Sequence, residues 1–248
     1  MSAAATTTSK FVWHEQVSDD PQQAQAFYTK LFGWQVETWK AGEIEYPMIH
    51  AEGANHGGFG TRMEGAPPTH WLGHVSVASV DETLEKAKAA GGQVVFGPMD
   101  MEEVGRFAII LDPQGSFVSA FQPQGDVPAQ GGVFVWDELG TQDVEGAASF
   151  YGAVFGWTTE EMGAEYGGYR IFKSGETQVG GLMKMPDASM PSQWVPYVHA
   201  DDVDATVAKA KELGASAVVE GMDVPGVGRV AVLVDPQGAA FGLFKQQT

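Results

Sequence analysis

The chain repeats itself at long range. Residues 11–121 align with residues 134–244 at a constant offset of 123, without a gap, and about a third of the aligned positions are identical. Phe11-Val-Trp-His-Glu15 returns as Phe134-Val-Trp-Asp-Glu138. Phe27-Tyr28 and Phe32-Gly33-Trp34 return as Phe150-Tyr151 and Phe155-Gly156-Trp157. Gly57-Gly58 returns as Gly180-Gly181, Trp71 as Trp194, Val104-Gly-Arg106 as Val227-Gly-Arg229, and Asp112-Pro-Gln-Gly115 as Asp235-Pro-Gln-Gly238. Solenoid repeats are about 20–50 residues long, so two copies at this spacing predict a duplicated domain instead. The expected division is a disordered lead-in (residues 1–10), a first module (11–122), a linker (123–131) and a second module (132–248).

Within a module the local signals alternate between strand and helix. Phe11 to Val17 reads as a half-buried strand with Trp13, Glu15 and Val17 on one face. Asp20 is a helix N-cap and Pro21 the first helical residue. Ala24, Phe27, Tyr28, Leu31 and Phe32 make one apolar helical stripe, closed by Gly33. Two strands follow, around Tyr46 to His50 and around Gly57-Gly58, where the glycines predict a bulge or a close backbone approach. Trp71 to Val77 is a strand, and a short helix from Asp81 ends at Gly91-Gly92. Residues 93–97, Phe107 to Leu111 and Phe117 to Phe121 are strands, the last two joined by a type I turn at Asp112-Pro-Gln-Gly115. The pattern is βαββ followed by βαβββ or a close variant.

Composition narrows the function classes. The formal charge of −18, from 32 acidic and 14 basic residues, opposes binding to nucleic acid and to anionic membranes. With no cysteine in the chain, disulfides, thiolate metal sites and a cysteine nucleophile are ruled out. No apolar run approaches the ~20 residues of a membrane helix, and the N-terminus lacks the apolar core of a signal peptide. The expectation is a cytoplasmic protein with a small-molecule ligand, either a monomer with paired modules or a homodimer. A regulatory module is compatible with the acidic surface, but no motif points to one.

The ordered set of motifs, found twice over residues 10–245, resembles the vicinal oxygen chelate superfamily: the glyoxalase, bleomycin-resistance and extradiol-dioxygenase fold. The resemblance implies an α+β protein whose tandem duplicated modules of βαβββ units form open curved sheets around cavities. It also implies, in metal-dependent members, His, Gln or Glu ligands from the first strand of a unit, the first strand of the next, and the strand after the DPxG turn. Here those positions fall on Trp13, Leu72 and Ser119, and in the second copy on Trp136, Val195 and Gly242. None is a good divalent-metal ligand, so no metal and no other cofactor is expected. The six positions would instead line a ligand cavity. The resemblance is to two-module, glyoxalase-related proteins, and implies a lyase, isomerase or oxygenase acting on a carbonyl or aromatic metabolite. The alternative is a non-catalytic protein that sequesters its ligand.

Glu15 and Glu138, two residues beyond the first ligand position and on the same face, are candidate acid–base groups. Their structural alternative is bonding to strand-end amides or to Arg106 and Arg229. His74 and its counterpart Tyr197 are candidate proton-transfer or hydrogen-bonding groups, or else pocket wall. Glu15 with His74 would be the acid–base pair of the first module, Glu138 with Tyr197 that of the second. His14 faces away from Trp13, opposite Asp137 in the copy. His50 and His56, replaced by Lys173 and Val179, read as surface histidines. Trp34, Trp157 and the Phe-Tyr pairs read as core.

Overall fold

The computed structural model describes residues 9–41, 44–62, 68–125 and 132–247. The first eight residues of the expected lead-in and residues 126–131 of the expected linker lie outside the described residues.

The first repeat contains β1 (Phe11–Ser18), α1 (Pro21–Phe32), β2 (Gln35–Ala41), β3 (Ile44–Ala51), β4 (Ala54–Thr61), β5 (His70–Ser76), α2 (Val80–Ala89), β6 (Gln93–Met101), β7 (Gly105–Leu111) and β8 (Phe117–Pro123). The second contains β9 (Phe134–Thr141), α3 (Val144–Phe155), β10 (Thr158–Glu161), β11 (Arg170–Ser174), β12 (Thr177–Lys184), β13 (Gln193–His199), α4 (Val203–Glu212), β14 (Ser216–Val224), β15 (Gly228–Val234) and β16 (Ala240–Gln246). A 3₁₀ turn, Ala164–Tyr166, separates β10 from β11. Each repeat is thus βαβββ twice. The expected βαββ half lacked β2, a mixed-polarity strand (QVETWKA) with no clean alternation.

The strands form two eight-stranded mixed open sheets, ordered β2-β3-β4-β1-β5-β8-β7-β6 and β10-β11-β12-β9-β13-β16-β15-β14. The fold is α+β, as the resemblance implies.

Local chemistry explains the helix boundaries. The Asp20 side chain accepts from Gln23 N, and Asp143 does the same for Gly146 N. Gly33 and Gly156 end α1 and α3 in the left-handed region, φ +76° and +73°, which costs glycine nothing. The second helices start one residue before the expected Asp81, because Ser79 and Asp202 are the caps.

The chain's two compact units are not the two sequence repeats. One comprises Met1–Trp13, Gly73–Gln130 and Asp137–Trp194; the other comprises His14–Leu72, Gly131–Trp136 and Val195–Thr248. Each unit therefore joins half of one repeat to half of the other. In the first unit, Val75, Ala108, Ile110, Val118 and Ala120 share a core with Phe150, Tyr151, Phe172 and Trp194. In the second, Phe27, Tyr28, Ile49 and Phe59 share a core with Leu233, Phe241 and Leu243.

The motifs kept in both repeats meet inside these units. In the first, Trp194 Nε1 donates to Tyr151 Oη at 2.7 Å, and Tyr151 Oη–H donates to Asp112 Oδ2 at 2.8 Å. Asp112 Oδ1 accepts from Gln114 N and Ser116 N, which closes its own turn. The second unit repeats the chain: Trp71 to Tyr28 at 2.9 Å, Tyr28 to Asp235 at 2.9 Å, and Asp235 to Gln237 N and Ala239 N. Both tyrosines are fully buried, and burial, with the nearby carboxylate second, holds both phenols far above their usual range. They act as neutral donors. The tyrosine of one repeat thus binds the turn aspartate of the other, in both directions.

Among the described residues, no helix is long and apolar enough to cross a membrane.

Candidate functional site

Strand alternation sorts the site residues. On β8, Val118 and Ala120 enter the core of the first unit, which leaves Phe117, Ser119 and Phe121 on the other face. On β1, Trp13, Glu15 and Val17 are half-buried, whereas His14, Gln16 and Ser18 are buried. His14 faces away from Trp13 as expected and stacks on Phe134 at 4.2 Å.

In the first unit, His74 of β5 pairs in register with Ser119 of β8. Phe107 and Phe121 lie beside the His74 ring, with centroids at 6.1 and 6.4 Å, and Phe96 packs on Phe107 at 5.6 Å. Ser119 is fully buried, and its Oγ has no hydrogen-bond partner. Leaving a buried hydroxyl unsatisfied costs about 1–3 kcal/mol. A hydroxyl left in this state can both donate and accept one further hydrogen bond.

The equivalent register pair in the second unit is Tyr197 and Gly242. A Cβ built on Gly242 would stand 2.3 Å from Tyr197 Cδ1, so the tyrosine ring lies flat on the glycine. Tyr197, Val195 and Ala240 form an apolar cluster with Trp136, Val230, Val232, Val234 and Phe244. Here the second repeat fills the space with its own side chains, where the first keeps a serine hydroxyl and an imidazole.

Glu15 lies in the second unit, across β4. A Cβ on Gly60 would stand 2.3 Å from Glu15 Oε1, and one on Gly58 would stand 2.2 Å from Tyr46 Oη. These glycines leave room for the two side chains. His70, at the start of β5, completes this group. Its Nδ1 lies 2.8 Å from Pro68 O. Burial lowers its pKa, with the Glu15 carboxylate opposing and the Arg62 guanidinium reinforcing that shift. Arg62 is held by Asp19 through Nε and Nη2, both at 2.9 Å. Sequence reasoning missed His70. The available signal was alternation, since His70, Leu72 and His74 share a face of β5.

Glu15 and His74 belong to different compact units, as do Glu138 and Tyr197; within its own unit, Glu15 is grouped with His70. Glu138 pairs in register with Gly181. Arg106 and Arg229 are not partners of the two glutamates. Arg106 bonds Asp81 and Asp100, and Arg229 bonds Asp204 and Asp223. Each arginine ties the first turn of its helix to an edge strand. His50 lies 2.9 Å from Asn55 Oδ1 and His56 lies 3.0 Å from Ala51 O, both local contacts of the β3–β4 hairpin. Trp34 and Trp157 are core.

The metal positions inferred from the resemblance carry Trp13, Leu72 and Ser119, and Trp136, Val195 and Gly242. Their only side-chain donor is one hydroxyl, which does not suit a divalent ion. Among the described residues, no group of three or more His, Asp or Glu is placed to hold a metal.

Comparison with known proteins agrees with this fold. Residues 10–119 match the model of the Glyoxalase/Bleomycin resistance protein/Dioxygenase superfamily, and residues 134–244 match that of the Glyoxalase-like domain. CFP32 of Mycobacterium tuberculosis (strain CDC 1551 / Oshkosh) is 36% identical over 243 residues, covering 94% of this chain and 93% of that one. The anthracycline biosynthesis protein DnrV of Streptomyces peucetius is 29% identical, covering 93% and 91%. Among solved structures, the 2,3-dioxygenase LapB from Pseudomonas sp. KL28 superimposes with TM-score 0.63 at 10% identity, covering 98% of this chain and 94% of that one. The Mn(II)-bound glyoxalase from Novosphingobium aromaticivorans superimposes with TM-score 0.61 at 16% identity, covering 96% and 82%. With its motifs, its two βαβββ repeats and its full-length relatives in accord, the chain belongs to the glyoxalase, bleomycin-resistance and dioxygenase superfamily, as a two-module member.

Proposed function

We propose that the protein is a cytoplasmic, glyoxalase-related small-molecule enzyme that works through its first module without the usual metal triad. Its substrate is a carbonyl or aromatic metabolite. The observation that carries this reading is the buried, unsatisfied Ser119 hydroxyl beside His74 within the Phe96–Phe107–Phe121 wall. A flat ligand gains apolar burial from the rings, and its oxygen satisfies the hydroxyl. His74 is the acid–base group of this site, beside Ser119 in register, whereas the Tyr197–Gly242 pair makes the second module structural. The similarity to a protein of anthracycline biosynthesis fits an oxygenated aromatic ligand.

The second reading is sequestration without chemistry, favoured by the poor metal donors at all six positions. Titration with hydroxylated aryl ketones, followed by tryptophan fluorescence, tests the site that both readings share. Ser119→Ala should weaken binding about five- to tenfold, the worth of one hydrogen bond, and Tyr197→Phe should leave it unchanged. The reverse order would move the site to the second module. Turnover separates the two readings: His74→Gln should lower it about 10²–10⁴-fold, far beyond its effect on binding. Binding without turnover in the wild-type protein would favour sequestration.

A further inference from the structure

The α1–β2 corner, the β3–β4 turn and the end of β13 enclose an open cavity of about 400 Å³ within the second compact unit. Phe32 and Trp34, whose ring centroids lie 4.7 Å apart, line it together with His50, Glu52, His199 and Asp201. No Lys or Arg is among the described residues that line it. Trp34 is only 7% exposed, yet its indole N–H has no acceptor among the described residues. In its counterpart, Trp157, Nε1 donates to Ser9 O at 2.8 Å. A buried indole N–H ordinarily finds a partner, and for Trp34 the cavity is where a partner can come from.

The other lining groups are acceptors. His50 Nδ1 lies 2.9 Å from Asn55 Oδ1 and 3.4 Å from Glu37 Oε1, and His199 Nε2 lies 3.3 Å from Asp201 Oδ1. Those nitrogens carry the protons, so in the neutral rings His50 Nε2 and His199 Nδ1 accept. Glu52 holds a left-handed φ of +52°, which costs a non-glycine residue free energy. The second repeat has Gly175 there, at φ +61°. It also has Lys173 for His50, while the first has Ser76 where the second has His199 and Ala78 where it has Asp201. The equivalent positions of the first unit therefore carry neither the imidazoles nor the carboxylates.

We infer that this cavity binds a small hydroxylated amine of amino-sugar size, at a site that shares no residue with the Ser119–His74 wall. The ammonium pairs with Glu52, a hydroxyl oxygen accepts from Trp34 Nε1–H, and hydroxyl protons go to His50 Nε2 and His199 Nδ1. An anionic ligand would meet two carboxylates in a chain of formal charge −18. A purely apolar one would leave the indole donor and both imidazole acceptors unpaired. The volume falls in the range of small-molecule sites.

The test titrates the full, ¹⁵N-labelled chain with glucosamine, glucose and glucose 6-phosphate. Indole N–H resonances read the site, that of Trp34 being assigned by its loss in Trp34→Phe. Glucosamine should move Trp34 and leave Trp157 in place. Glucose should bind about fivefold more weakly, the worth of one exposed ion pair, and glucose 6-phosphate should not bind. Added salt should narrow the gap between glucosamine and glucose. Two variants borrow residues that the second repeat already carries. Glu52→Gly, which also relaxes the backbone, should erase the preference for glucosamine with no loss of thermal stability. His50→Lys, which can pair with Glu37 as Lys173 pairs with Glu160, should weaken glucosamine binding about fivefold. A Trp34 resonance that does not move, or a Trp157 resonance that moves as far, overturns the site. Equal binding of glucose, or tighter binding of glucose 6-phosphate, overturns the assignment of an amine.

Discussion

Replacing Asp112 by alanine should destabilise the protein by about 3–5 kcal/mol, the range seen when one partner of a buried charged network is removed. The carboxylate accepts from Tyr151 Oη, Gln114 N and Ser116 N, and its loss strands three donors, two of them backbone amides. Each stranded buried donor costs about 1–3 kcal/mol. Asp112→Asn should cost less, because the amide oxygen still accepts from the two turn amides. Burial raises the pKa of Asp112 above its ordinary value, while its hydrogen bonds act in the opposite direction. A raised carboxyl contributes most below its unfolded pKa, and that contribution is lost as pH rises through the folded value. The loss in Asp112→Ala should therefore be larger at acid pH than at neutral pH, and Asp112 itself should not trigger acid unfolding. Urea unfolding, monitored by fluorescence and circular dichroism, reads both points. A cost below about 1 kcal/mol would show that the buried chain of donors finds other partners or water.

Gly57→Ala should cost about 3 kcal/mol, at the upper end of overpacking effects. An added Cβ would stand 2.2 Å from His14 O and 3.3 Å from Ile49 Cδ1. The first of these is backbone within the parallel β1–β4 pairing, where His14 and Gly57 are partners. No rotamer change can relieve it, so the strands must part. Gly180→Ala makes the informative comparison, because its Cβ would meet Asp137 O at 2.7 Å; it should cost less. Equal costs for the two variants would show that the strands yield without strain.

Much of the fold was legible because its signals are local. The Asp20 and Asp143 caps, the apolar stripes of α1 and α3 and the glycine stops act within a few residues. Gly57-Gly58 was readable as a close approach because a missing side chain in a strand has few other uses. β2 was missed because its sequence carries no alternation, and its neighbour β3 supplies the pairing. The candidate site was legible as a set of positions but not as a partition. Ser119 and Gly242 were placed by counting from the turn, yet only the packed strands show the serine hydroxyl unsatisfied and the glycine covered by Tyr197.

Duplication is what the sequence determined by itself: two copies, their strands and helices, and the motifs they share. What those motifs do was decided by tertiary structure. Phe-Tyr reads as helix core and Asp-Pro-Gln-Gly as a turn, and both are. Yet Tyr28 bonds Asp235, 207 positions away, and Tyr151 bonds Asp112, so the same motifs also tie each repeat to the other. Periodicity reports which face of an element is apolar. It carries no information on which distant carboxylate will fill a buried phenol's need for an acceptor, because that partner is chosen only when desolvation makes an unpaired donor costly.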